Sequence, residues 1–144
     1  MKNTIILLTM LLFSGIGFAQ ESNNGKQLWA KSFLNEKAPE LTVETWISKK
    51  PDTEGKFVII DFWATWCGPC RKAIPELNEI AKEFSKDVVV IGISDEPVEK
   101  IKAMKEPVIE YYYGVDTKKT MDKILEIKGI PHVIIIDPKG IVRW

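Results

Sequence analysis

Apolar residues along the chain fall into two kinds of pattern, continuous short runs and stripes at three- and four-residue steps. Residues 56 to 64, KFVIIDFWA, form a run broken by a single acid, which predicts a central strand buried on both faces. DVVVIGIS, residues 87 to 94, and PHVIIID, residues 131 to 137, read the same way. Between the first two runs, Ala73, Ile74, Leu77, Ile80, Ala81 and Phe84 recur at helical spacing and predict an amphipathic helix, with Pro75 expected to kink it. Strand, helix and strand in that order imply a parallel crossover. EPVEKIKAMK predicts a short helix with Val98, Ile101 and Met104 on one side, and VIEYYYGV an extra strand. A further helix carries Met121, Ile124 and Leu125 on its apolar stripe. Asp116 or Thr117 is expected to cap it and Gly129 to end it. Nearer the start, Leu41, Val43 and Trp46 suggest a short half-buried strand, followed by a turn in KKPDTEG. Asp137, Pro138 and Gly140 occupy first, second and fourth places of a type I turn, after which residues 141 to 144 begin a returning antiparallel strand. The whole is an α/β arrangement, a central mixed sheet flanked by helices. A further helix is expected to cover its open face, so the C-terminal helix reads as absent and the chain as truncated.

The first residues follow a different pattern. After Lys2 comes an uncharged, mostly apolar run from Thr4 to Ala19 that closes on small residues. It is shorter than the roughly 20 apolar residues of a membrane-spanning helix. Residues 1–19 are therefore expected to be a signal peptide, with retention as an anchor the competing reading. Residues 20–37 are polar apart from Trp29, Phe33 and Leu34 and read as a flexible arm whose aromatics can dock on a domain spanning residues 38–144. Composition adds an exclusion. The chain holds 20 basic and 20 acidic residues, so a nucleic-acid partner is not expected.

Candidate chemistry concentrates in DFWATWCGPCR, residues 61 to 71, which contains both cysteines of the chain. The spacing admits a redox pair, a metal clip or a structural bridge. A bridge closing so short a loop constrains little of the unfolded chain. Placed where a buried strand becomes a helix, Cys67 sits at a helix N-terminus, whose free N–H groups favour a thiolate. Thiols in such motifs ionise at about 3.5 to 7.5, against roughly 8.5 for free cysteine. Cys67 is thus expected to attack and Cys70, one turn further, to resolve. Gly68 allows close approach, Pro69 fits the first helical turn, and Trp66 is expected to lie over the pair as an apolar lid, with a core position as the alternative. Asp61 is an acid inside an otherwise dry strand, where burial raises its pKa and suits it to take the Cys70 proton; an acid hydrogen-bonded at the strand's end is the alternative.

DFWATWCGPCR, the following helix with proline at position 75, and KGIPHVIIID resemble the thioredoxin superfamily. The N-terminal apolar run and the inserted segment from Glu96 to Val115 are similar to the secreted thiol-disulfide oxidoreductases of the TlpA and ResA type. The resemblance covers residues 38 to 144. It implies a thioredoxin-like fold, a buried acid at Asp61, and a cis bond between Ile130 and Pro131 that presents backbone to an extended substrate. With Trp66, Gly68 and Pro69, Ile130 and Pro131 make the expected substrate-binding set. His132 departs from the small or hydroxylated residue usual after that proline. It can tune the thiolate, join Cys67 and Cys70 as a third metal ligand, or be a solvated or hydrogen-bonded side chain at the sheet's end.

The function so implied is an extracytoplasmic, periplasmic or secreted thiol-disulfide oxidoreductase. It would reduce protein disulfides, receive electrons from a membrane thiol reductant, act as a monomer, and need neither cofactor nor metal. Apocytochromes are doubtful substrates, because relatives dedicated to them often carry an acid between their cysteines. A disulfide oxidase or isomerase is the nearest alternative, and a copper- or zinc-binding metallochaperone the one from another class. A peroxidase is disfavoured, because the peroxidatic cysteine of that branch lacks so close a partner.

Overall fold

A computed structural model describes residues 28–144. The expected signal peptide and the first residues of the arm lie outside them. Five strands form one mixed sheet in the order β1-β4-β3-β2-β5. At its centre, β2 (Phe57–Phe62) and β3 (Val88–Ser94) pair in parallel, joined through the helix α1 (Gly68–Glu83). β4 (Tyr112–Val115) continues the parallel pairing beside β3. The outer strands β1 (Thr45–Trp46) and β5 (His132–Ile136) run antiparallel to their neighbours. This is the mixed α/β sheet that the apolar runs predict and the thioredoxin-like fold that the resemblance implies.

Period-two alternation sends side chains of β2 to opposite faces. Val58, Ile60 and Phe62 pack with Val89, Ile91 and Ile93 beneath α3 (Thr120–Leu125), which contributes Met121 and Leu125. On the other face, α1 buries Cys70, Ile74 and Leu77 against Val90, Trp63 and Tyr111, with Ile101 from α2 (Val98–Ala103). Each large side chain sealed this way contributes about 1.5–3 kcal/mol. α1 runs unbroken through Pro75 despite the missing amide, since its buried stripe lies on both sides of that residue.

Three local expectations are corrected. The first strand is only two residues long, because only Thr45 and Trp46 reach the edge of β4. Neither Asp116 nor Thr117 is the N-cap residue of α3. Lys119 holds that place in a left-handed conformation, while Asp116, buried three residues earlier, accepts the Met121 amide at 2.7 Å. α3 ends at Glu126, also left-handed, well before Gly129.

The described part of the arm is tied down. Lys31 donates its amide to the Leu125 carbonyl and Lys128 to that of Trp29, and residues 35 to 38 exchange backbone bonds with Gly140 and Val142. The turn at Asp137 closes with the Gly140 amide on the Asp137 carbonyl, and Gly140 carries the positive φ its place requires. Among the described residues, no helix is long and apolar enough to cross a membrane.

Candidate active site

Strand β2 ends at Phe62, and five residues later the chain enters α1 with Cys67 as its N-cap. The Cys67 sulfur accepts the Cys70 amide at 3.3 Å, so a sulfur takes the capping place usually held by a hydroxyl or carboxylate. That contact and the free N–H groups of a 16-residue helix favour negative charge on Cys67. The two cysteines are joined as a disulfide. Cys70 is fully buried and Cys67 is 3 % exposed, leaving Cys67 as the sulfur nearer solvent. Pro69 lies in the first turn, where its missing N–H costs least.

Trp66 stands 68 % exposed beside Cys67, not in the core. It forms one wall of a groove of about 200 Å³ whose other walls include Phe62, Trp63, Gly129 and Ile130, with Asp95 and Lys119 at its rim. The Ile130–Pro131 bond is cis, as is Glu106–Pro107. Trp66 and Ile130 therefore meet at one groove, next in sequence to Cys67 and Pro131 respectively, which do not line it themselves. The tryptophan the core does hold is Trp63.

Asp61 lies on the α1 face of β2, 2 % exposed, with its Oδ2 without a hydrogen-bond partner among the described residues. Burial alone pushes its carboxyl from 3.8 to about 6. An acid tuned to that value exchanges protons at neutral pH, as a base for a buried thiol must. His132 is on the opposite face. It pairs in register with Phe62, stacks its ring at 6.0 Å from that phenyl, and is held below its ordinary pKa by burial. The set of Cys67, Cys70 and His132 is therefore not assembled, and no three metal-ligating side chains gather among the described residues.

Two residues of the site escaped sequence reasoning. Glu96, buried at the start of the insertion, accepts the Thr65 amide at 2.5 Å and the Thr65 hydroxyl at 2.9 Å, and pairs with Lys100 at 2.7 Å. It thereby fixes the loop that delivers Trp66 and Cys67. Its one sequence signal was an acid four residues before a lysine at a helix start. Tyr111, from the segment before β4, is buried beside Trp63 against Gly92 and carried no signal beyond its apolar neighbours.

The model of the AhpC/TSA family matches residues 34–144. The chain belongs to that family. Within it, the chain is similar to ResA, a thiol-disulfide oxidoreductase of Bacillus subtilis, with 26% identity over 72% of this chain and 61% of ResA. It is also similar to the thiol:disulfide interchange protein DsbE of Pseudomonas aeruginosa, 29% identical over 99% of this chain and 83% of that one. Among solved structures, a candidate protein disulfide isomerase from Bacteroides thetaiotaomicron superposes with a TM-score of 0.70 at 31% identity, covering 80% of this chain and 79% of that one. The family match spans the cysteine pair, Asp61 and the Ile130–Pro131 bond together.

Proposed function

We propose that the chain is an extracytoplasmic thiol-disulfide oxidoreductase that reduces disulfides of secreted or membrane-exposed proteins. The observation that carries this reading is a CxxC disulfide whose first sulfur caps a long helix, next to a tryptophan that walls an aromatic groove, with a buried acid on the strand face the helix covers. In the reduced protein, the Cys67 thiolate attacks one sulfur of a client disulfide. The client bond breaks, its other sulfur leaves as a thiolate that takes up a proton, and a mixed disulfide forms at Cys67. Cys70 then gives its proton to Asp61 and attacks the Cys67 sulfur, releasing the second client thiolate. The client gains two electrons and two protons, and the protein is left oxidised.

A thiol reductant at the membrane supplies the electrons for the next cycle, and the protein works as a monomer. The apolar run of residues 4–19 supports an extracytoplasmic place. Gly68 and Pro69 between the cysteines support the reducing direction. The likeness to a candidate disulfide isomerase favours the second reading, an oxidase or isomerase. The equilibrium potential separates them: a value near about −270 mV fits a reductant and one near about −120 mV an oxidant. Trapping with Cys70→Ser tests the chemistry itself. Client proteins should accumulate on Cys67 as reducible adducts, and their absence would remove the catalytic reading.

A further inference from the structure

Asp61 Oδ2, Trp63 Nε1 and Tyr111 Oη are three buried polar atoms without hydrogen-bond partners among the described residues. Strand register explains how their side chains come to share one space. Asp61 pairs with Gly92 across the parallel β2–β3 ladder, so Asp61 points to the same side as the side chain Gly92 lacks. A Cβ on Gly92 would lie 3.0 Å from Tyr111 Cε2 and 3.1 Å from Trp63 Nε1. The glycine thus opens the space beside Asp61 that the phenol edge and the indole N–H fill. A side chain at position 92 would need both rings to give way by a few tenths of an ångström.

We propose that Tyr111 is a positioning residue for the resolving step, its hydroxyl, unpaired in this disulfide form, donating in the reduced protein to the Asp61 carboxylate that takes the Cys70 proton. The proposal rests on Asp61 being that base. Burial alone leaves this carboxyl near 6, and a neutral donor beside it keeps a larger share of it ionised, and so able to take a proton, through the range just below neutral. Tyr111 remains a donor throughout, since burial, and secondarily the charge of Asp61, hold its own pKa far above the ordinary phenol value. Trp63 can only donate and reinforces the same charge.

Among the described residues, Asp61 is the one charge that acts on the Tyr111 hydroxyl. α1 presents Cys70, β3 presents Gly92, β5 presents Val133 opposite Asp61, and β4 presents Tyr113 across Gly92. Lys49, Lys56, Lys82 and Glu110 line a second groove to which Tyr111 also contributes. Glu96 is paired with Lys100 and accepts from Thr65. In the step itself the Cys70 S–H proton passes to Asp61 while the Cys70 sulfur bonds to Cys67 Sγ. The bond from Cys67 to the client breaks, and the client leaves as a thiolate that is then protonated.

Tyr111→Phe in the full chain keeps the ring and deletes the donor. The carboxyl carbon resonance of Asp61 in the reduced protein reports its titration directly, and single-turnover release of a client peptide from Cys67 reports the resolving step. The Asp61 midpoint should rise by about one pH unit, with release at neutral pH slowed up to about tenfold and the pH profile displaced upward equally. The unfolding midpoint of the disulfide form should not fall, because the hydroxyl removed has no partner there. An Asp61 midpoint unmoved by Tyr111→Phe overturns the role of the tyrosine and leaves that of the acid standing. Release unaffected by Asp61→Asn overturns the acid as base, and the role of Tyr111 in resolution with it.

Discussion

Asp61 shows how one residue can be costly to the fold and useful to the site. Its carboxyl titrates near 3.8 when unfolded and about 6 in the folded protein, with burial as the cause. Below both values the acid is neutral in either state and affects nothing. Between them the unfolded chain has released a proton that the folded one retains, so folding stability falls as pH rises through this window and stays reduced above it. A shift of about two units corresponds to about 3 kcal/mol. Asp61→Asn should therefore stabilise the oxidised protein by up to that amount at pH 7 and by almost nothing near about pH 3, as read by denaturant unfolding at both. The same change should slow release of the mixed disulfide and remove the inflection near pH 6 from its rate profile. Stability and turnover would move in opposite directions, the mark of an acid kept for chemistry.

At the scale of elements, the inserted segment from Glu96 to Val115 supports the reactive loop from one side. Glu96→Ala leaves the Thr65 amide and hydroxyl without their partner and the loop ahead of Cys67 unheld. A loss of about 1–3 kcal/mol is expected, with faster hydrogen exchange at Thr65 and Trp66. Glu96 is drawn up by burial but more strongly down by Lys100 and the two Thr65 bonds, and ends below its ordinary 4.5. Its contribution is thus present above that value and lost as pH falls through the lower folded one. The junction of β1 and β4 is equally tight. A Cβ on Gly114 would meet Val43 Cγ1 at 2.6 Å and the Thr45 carbonyl at 2.7 Å. Gly114→Ala should cost about 1–3 kcal/mol in unfolding measurements by prising the edge strand away.

These same elements show what a sequence displays and what it hides. β2, β3, β5 and α1 were legible because each buries a run or stripe that period alone reveals. β1 was not, because Leu41 and Val43 pack on the core as irregular chain and only two residues pair. The ends of α3 were hidden by left-handed Lys119 and Glu126, residue types that carry no turn signal. In the site, Cys67, Cys70 and Asp61 stood within ten residues of one another and were readable. Glu96 and Tyr111 were not, since they arrive from another part of the chain and only the β2–β3 register brings Gly92, and hence Tyr111, beside the acid.

For the molecule as a whole, the arm does more than cover the sheet. Its backbone holds two distant segments at once, the exit of α3 through Lys31 and Trp29, and the closing turn through Asn35, Glu36 and Ala38. The first of these leads into Gly129, where an added Cβ would touch the Trp29 ring at 3.7 Å, and on to Ile130 in the groove wall. Five backbone hydrogen bonds across this seam contribute roughly 3–7 kcal/mol together. Phe33 adds its packing on the core. Removing residues 1–38 should lower the unfolding free energy by several kcal/mol. It should also raise KM for a disulfide-containing peptide several-fold, because the wall carrying Ile130 loses its support. The cysteine pair is held by α1 and β2, neither of which the arm touches through its backbone. Reaction of Cys67 with a small disulfide reagent should therefore keep its rate in any truncated protein that remains folded. A parallel loss of both rates would show instead that the arm supports the cysteine loop itself.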